Sequence, residues 1–431
     1  MSTVAVPALG GARAWFNWVI GVSFVVVVFI MQTGYAITNI QVSKDLGLTI
    51  AQVGFIGSVY TWVFAVTQFA SGAILDRLGA QRVLPIACGL VTLGAFLFAH
   101  AEGPLVLICA QVLLAIGASF GFIGAGFVGG QWFEPLKYGF MFALVQLVAS
   151  LSAVAGQRTL NVLIVDYRWD TIINGIGFMG VAVVALMLIF LRDPLGAETT
   201  RKGWTGIKAF TEDLIQAVNQ VTAIKDCWIN ALIGGATFGT MLAIGVIWGP
   251  RLLVAGGMEQ ADANATTSMS WFGLALGAPA FAWFSDKLRK RRLAMAIGCA
   301  LQLAVIVIAM TQTGMPVEFA SIIFFLWGFM AGASMLPYAI AAELVPASLI
   351  GTSAAIVNAV QFIVGGIMMA IPGRVLSGTG LIARIAEIEG NSPGSTSDYR
   401  WAIVVYPMVL GLALIMHLFL RETYPSGANG K

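Results

Sequence analysis

Charge is what this chain most lacks. Only 10% of its 431 residues are Asp, Glu, Lys or Arg, against 59% hydrophobic residues and a mean hydropathy of +0.89. A soluble domain is about a quarter charged. A chain with so little polar surface cannot cover a globule in water, so its solvent is lipid. The net charge of +3 is too small to imply nucleic acid. The four cysteines, Cys88, Cys109, Cys227 and Cys299, lie in or at the start of apolar runs. None has metal-ligand spacing, and a disulfide framework does not fit them. No nucleophile–base pair, metal cluster or phosphate loop appears, which argues against an enzyme and calls for no cofactor or metal. Nothing resembles a filter loop or a charged ring, which disfavours a channel. Acids are missing from the centre of every apolar run: Glu134 and Glu343 sit at inner ends, Glu102 at an outer end. The histidines, His100 and His417, also stand near ends. A buried titratable relay is therefore not evident, which weakens a proton-symport reading.

What is present is a series of apolar runs, each near the ~20 residues that cross a bilayer as a helix. Twelve are expected, at about 16–40, 51–75, 83–101, 105–131, 139–162, 171–191, 228–249, 264–285, 293–312, 319–342, 351–372 and 402–420. The first is too long for a signal-peptide core and reads as a retained span. Placing the N-terminus inside puts sixteen of the 23 Lys and Arg on the inner side, as the positive-inside rule asks. Both termini are then cytoplasmic. The polar stretch Arg192 to Asp226 joins spans six and seven, and GIKAFTEDLIQAVNQV within it has helical apolar spacing. An interfacial helix on the inner face is expected there. A second polar stretch, Ser377 to Asp398, reads as an outer loop.

The chain repeats itself. DYRWD (Asp166 to Asp170) and DYRWA (Asp398 to Ala402) each precede a crossing that closes with Phe-Leu-Arg and an acid, at Phe190 to Asp193 and Phe419 to Glu422. GAILDRLGAQR (Gly72 to Arg82) follows span two, and AWFSDKLRKRR (Ala282 to Arg292) follows span eight. Gln146 in span five and Asn358 in span eleven stand at matching distances from Gly139 and Gly351. Six spans are thus written twice in one orientation. Parallel repeats related by an axis along the membrane normal mark one transporter architecture. The expected domains are an N-terminal six-helix bundle (1–192), a cytoplasmic linker (193–226) and a C-terminal six-helix bundle (227–431).

The stretch G-x-x-x-D-R-x-G-x-x-R resembles the signature loop of the major facilitator superfamily, with a degenerate copy in the second half. The resemblance covers essentially the whole chain. It implies an all-α membrane fold of 12 transmembrane helices in two pseudo-symmetric six-helix bundles. It also implies that Asp76 engages the inner N-terminus of span eleven, with Gly72, Arg77, Gly79 and Arg82 completing the loop, and that Asp286 plays the equivalent part toward span five. Ala282 and Arg289 stand where the family's glycines usually do, so the second clamp is expected to be weaker. The basic run Arg289 to Arg292 reads as a topology signal.

Polar residues deep in a span usually face the bundle interior. Gln32, Tyr35 and Asn39 in span one, Tyr60 in span two, Trp327 and Tyr338 in span ten, and the pair Gln146 and Asn358 are the candidate substrate-binding residues. Gln111, Ser119 and Gln131 are further polar residues of span four. The competing reading is that such groups glue helices together, for ~1 kcal/mol or less each. Arg158, late in span five, has two readings: an anion-attracting site residue, or an interfacial Arg that snorkels. The chain resembles the anion:cation symporter and oxalate/formate branches in frame, yet lacks their Arg in spans one and four and their Lys in span eleven. A neutral, amphipathic site follows, suited to a polar uncharged or zwitterionic solute or a larger chelate.

The expected function is a multi-pass secondary transporter of the cell's cytoplasmic (inner) membrane. It would move a small organic solute, an organic acid or amino-acid-like metabolite, by alternating access. The expected partners are that solute, the lipid bilayer, and protons or a counter-transported solute, with the protein a monomer. Rival readings are a drug or lipophile exporter, disfavoured because span five has no Pro; a metal-chelate transporter; and a non-transporting sensor or scaffold.

Overall fold

The computed structural model describes residues 9–48, 50–194, 206–312, 314–389 and 395–425. Outside them lie the chain's first eight residues, 195–205 of the expected linker with Arg201 and Lys202, 390–394 of the expected outer loop, and Lys431. The side chains of Thr33 and Asn39 lie outside as well. Among the described residues the secondary structure is helical, with no strand. Among the described residues, eleven helical stretches are long and apolar enough to cross a membrane. The eighth expected span coincides with a helix of 29 residues, Gln260–Leu288, that is long enough but not apolar enough. Its apolar residues alternate with Thr266, Thr267, Ser268 and Ser270.

The chain divides into two compact units. The first comprises Met1–Ala223 with Val345–Ala359, and the second Ile224–Leu344 with Val360–Lys431. The first unit holds α1 (Gly11–Asp45), α2 (Ile50–Leu78), α3 (Ala80–Ala99), α4 (Pro104–Ala118), α5 (Gly121–Trp132), α6 (Tyr138–Asp166), α7 (Trp169–Phe190) and α8 (Ile207–Thr222). Each break has a local cause. Gly79 takes φ 83°, a left-handed conformation that glycine adopts without the Cβ penalty, and so turns the chain from α2 into α3. Pro104 opens α4 at a first-turn position, where its missing N–H costs nothing.

The second unit holds α9 (Lys225–Ala243), α10 (Gly249–Ala255), α11 (Gln260–Leu288), α12 (Arg291–Thr311), α13 (Val317–Ala331) and α14 (Leu336–Leu344). It continues with the later part of α15 (Ile350–Leu376), α16 (Leu381–Ile385), α17 (Thr396–Ile403) and α18 (Val405–Met416). A π-turn, Ile244–Trp248, joins α9 to α10. Here Gly273 and Gly277 on α11 face Gly328 on α13 and Gly332 in the 3-10 turn that follows it. A Cβ on any of the four would meet backbone of the opposite helix. Paired Gly-x-x-x-Gly stretches let backbones touch, which is how helices associate where lipid supplies no hydrophobic drive. The polar side chains of α11 turn inward: Thr266, Thr267 and Ser270 are buried. Thr267 and Ser270 donate their hydroxyls to carbonyls on the preceding turn of their own helix, at 2.8 and 2.7 Å.

The repeat is visible in backbone detail. Span four breaks after a 15-residue helix, α4, and span ten breaks after a 15-residue helix, α13. The two Phe-Leu-Arg-acid stretches also do equivalent work. Asp193 Oδ1 accepts from the Gln81 N–H at 3.2 Å, and Gln81 Oε1 accepts from the Asp193 N–H at 3.2 Å, at the start of α3. Glu422 accepts from the Arg291 and Arg292 N–H groups at 2.7 and 3.2 Å, at the start of α12. In each unit the acid closing the sixth span satisfies the orphan amides of the third.

Candidate functional site

The first unit contains a cavity of about 210 Å³ among α1, α2, α3 and α4. Helical spacing brings Val28, Met31, Gln32 and Tyr35 of α1 onto it. Gly57, Tyr60 and Thr61 come from α2, Val91 from α3, and Gln111, Leu114 and Ala118 from α4. Gln32 Nε2 donates to the Tyr60 hydroxyl at 2.7 Å. Tyr60 stacks on Phe64, centroids 6.0 Å apart. Tyr35 stands edge-on to Phe98 at 5.8 Å and directs its hydroxyl toward the Val53 carbonyl at 3.4 Å. Among the described residues, no Asp, Glu, Lys, Arg or His lines this space. What it offers is amide and hydroxyl groups set in an apolar wall.

A second constellation lies at the end of α2. Asp76 Oδ1 accepts from the Gly351 N–H at 2.8 Å, and Oδ2 accepts from the Thr352 N–H and hydroxyl at 2.7 and 2.8 Å. These amides belong to the first turn of α15, where no carbonyl of the helix can reach them. A carboxylate there gains from the helix dipole as well. Close approach makes the contact possible: a Cβ on Gly72 would run into the Gly351 carbonyl. Arg77, buried beside Asp76, pairs with Asp213 of α8 and lies 4.9 Å from the Phe210 ring. Together these groups border a second cavity of about 210 Å³ between α2, α8 and the start of α15. Arg82 is exposed.

The counterpart in the second unit is built differently. Asp286 accepts from Arg291 Nη1 at 2.5 Å, and Arg291 Nε donates to Glu343 at 3.1 Å. Arg291 is only 2% exposed and lies 4.8 Å from the Tyr424 ring. Arg289, at the position matching Gly79, takes φ 52°, a conformation that strains a residue bearing a Cβ. So Arg291 is more than a topology signal: it neutralises two carboxylates of its own unit.

The family model described as Major Facilitator Superfamily matches residues 20–370. The chain belongs to the Major Facilitator Superfamily. Among its curated relatives in that superfamily, the Uncharacterized transporter YybO of Bacillus subtilis is 21% identical over 88% of this chain and 87% of its own length. The Probable galactarate/D-glucarate transporter GudP of the same organism is 24% identical over 37% of this chain and 36% of its own. The Riboflavin transporter RibZ of Clostridioides difficile is 22% identical over 42% and 40%. The matches to GudP and RibZ thus span less than half of either protein. Membership and the eleven apolar helices make this chain a multi-pass membrane transporter.

Within that superfamily frame, the structure gathers some of the expected binding residues and scatters others. Gln32, Tyr35 and Tyr60 share the first-unit cavity. Gln146, buried on α6, donates Nε2 to Ser150 at 2.9 Å, and Asn358 is buried on α15. Neither lines that cavity. Arg158 is exposed late in α6, with no carboxylate partner among the described residues. Trp327 is buried on α13, bordering a small apolar cavity with Trp248 and Phe324. Tyr338 is a satisfied core group: its hydroxyl donates to Gln361 Oε1 at 2.8 Å, and Gln361 Nε2 donates to the Ser334 carbonyl at 2.8 Å. Sequence reasoning missed the Arg291–Glu343–Glu422 cluster. The duplicated Phe-Leu-Arg-acid stretches were the signal that pointed to it.

Proposed function

We propose that this chain is a twelve-span secondary transporter of the cytoplasmic membrane, moving a small organic solute by alternating access, with both termini cytoplasmic. Organic acids and amino-acid-like metabolites head the candidate solutes, and the galactarate/D-glucarate names among its relatives support a hydroxylated one. The observation that carries the reading is the hold of Asp76 on Gly351 and Thr352. Three hydrogen bonds to one carboxylate are strong enough to hold a state, yet all run to a single side chain that one movement of a helix end releases. The inward-turned Thr266, Thr267 and Ser270 of α11 support a twelfth crossing, because these hydroxyls are buried and bonded within protein.

The test is flux. Purified protein in proteoliposomes should accumulate or exchange a labelled solute, with and without a pH gradient. Asp76→Asn should slow that flux at least several-fold. Binding of solutes with no flux of any would favour the sensor or scaffold reading and refute transport.

A further inference from the structure

Gln111 is buried at 2% exposure on the wall of the first-unit cavity. Its amide meets no hydrogen-bond partner among the described residues. A primary amide brings two donors and an acceptor, and here they face the cavity, open to water or to a solute that replaces it. Across the same space Tyr60 accepts from Gln32 and keeps its own proton to donate, and Thr61 adds an exposed hydroxyl. Val91 and Leu114 supply the apolar surface between them. At ~30 Å³ per water, the 210 Å³ holds about seven waters, the room taken by a hydroxylated chain of about four to six carbons.

We propose that this cavity binds an uncharged, hydroxylated solute, or the hydroxylated part of a larger one, with Gln111 bridging two of its hydroxyls. Amide and hydroxyl groups match a polyol's alternating donors and acceptors, and the apolar wall matches its C–H edges. A carboxylate would enter with no cation to meet it, and its desolvation would go uncompensated. The inference keeps the transporter reading but sets an uncharged hydroxylated solute in place of its organic acids; it rests on that reading only for the solute's passage, not for its binding.

The experiment uses the full chain in lipid nanodiscs, with xylitol and galactitol as probes and galactarate as the charged match to galactitol. Thermal shift and titration calorimetry are read for wild type and Gln111→Leu, with Gln111→Met in reserve should the first fail to fold. At least one polyol should stabilise the wild type saturably, and galactitol should bind more tightly than galactarate. Gln111→Leu should weaken polyol binding at least tenfold, through the loss of both hydrogen bonds that the amide makes to the solute. The ligand-free melting temperature should hold, because the amide makes no bond within the described protein that an apolar group of similar shape would lose. Absence of stabilisation by both polyols, tighter binding of galactarate, or unchanged polyol affinity in Gln111→Leu each overturns the proposal. A lowered ligand-free melting temperature with polyol affinity intact does so too, by marking Gln111 as a packing residue. Proteoliposome flux separates the two readings: polyol binding with no flux refutes transport alone, and flux with polyol-insensitive Gln111 refutes the site alone.

Discussion

Replacing Asp76 by Ala should open the first turn of α15. The carboxylate accepts the Gly351 N–H, the Thr352 N–H and the Thr352 hydroxyl at 2.7–2.8 Å. Hydrogen bonds to a charged group contribute about 1.5–3 kcal/mol each. Bonds that share one acceptor group do not add, so the net loss is taken as about 3 kcal/mol. At 1.4 kcal/mol per decade, local opening then becomes about a hundredfold more frequent. Amide exchange reads that directly, since protection tracks the free energy of local opening. In hydrogen–deuterium exchange, the peptide covering 347–356 should exchange about a hundredfold faster in Asp76→Ala, while peptides from α12 stay as in the wild type. Equal exchange in 347–356 would refute the clamp. Acceleration spread evenly over the chain would refute it as well, by showing general destabilisation instead.

Gly72→Ala places a methyl against the Gly351 carbonyl; exchange over 347–356 should rise and the melting temperature fall, at a cost of about 1–3 kcal/mol for overpacking. Arg291→Ala leaves Glu343 largely buried beside Asp286 with no cation. Thermal unfolding should show a loss of about 3–5 kcal/mol, and adding Glu343→Gln should restore part of it. Arg77→Ala frees α8 from the Asp213 pair and the Phe210 ring contact. Each of these contributes on the order of 1 kcal/mol, so trypsin should cut after Lys208 about tenfold faster.

The family and the helical plan were legible because lipid imposes them. Few charges, apolar runs of one length and a duplicated signature loop admit few arrangements. The site was legible only where polar residues sit a helical turn apart on neighbouring spans, as Gln32 and Tyr35 do with Tyr60. It was opaque where burial depends on packing that no local pattern encodes. Arg291 stands in a basic run that looks like a solvated inner loop, yet it is buried because Asp286, five residues before it, is joined by Glu343 and Glu422 from two distant places in the chain. The two DYRW stretches show the same limit. Trp169 is buried with its indole N–H on Asp45 at 2.9 Å, whereas Trp401 is 41% exposed. The eighth span was legible at 264–285 and is the helix α11, yet it falls short in hydropathy, since hydroxyls such as those of Thr267 and Ser270 count as polar even when turned inward and bonded to their own helix.

The first unit closes on a segment made long after the rest of it. Gly351 lies 275 residues beyond Asp76, and at ~5–20 residues per second a ribosome needs roughly 15–55 s to cover that distance. For that interval the newborn α2 lacks the helix start that Asp76 holds, and leaves a bare backbone notch at Gly72. Whatever receives the chain during insertion must tolerate, or shelter, that unfinished end. Chain breaks that delay residues 345–359 should therefore be felt at residue 76 first.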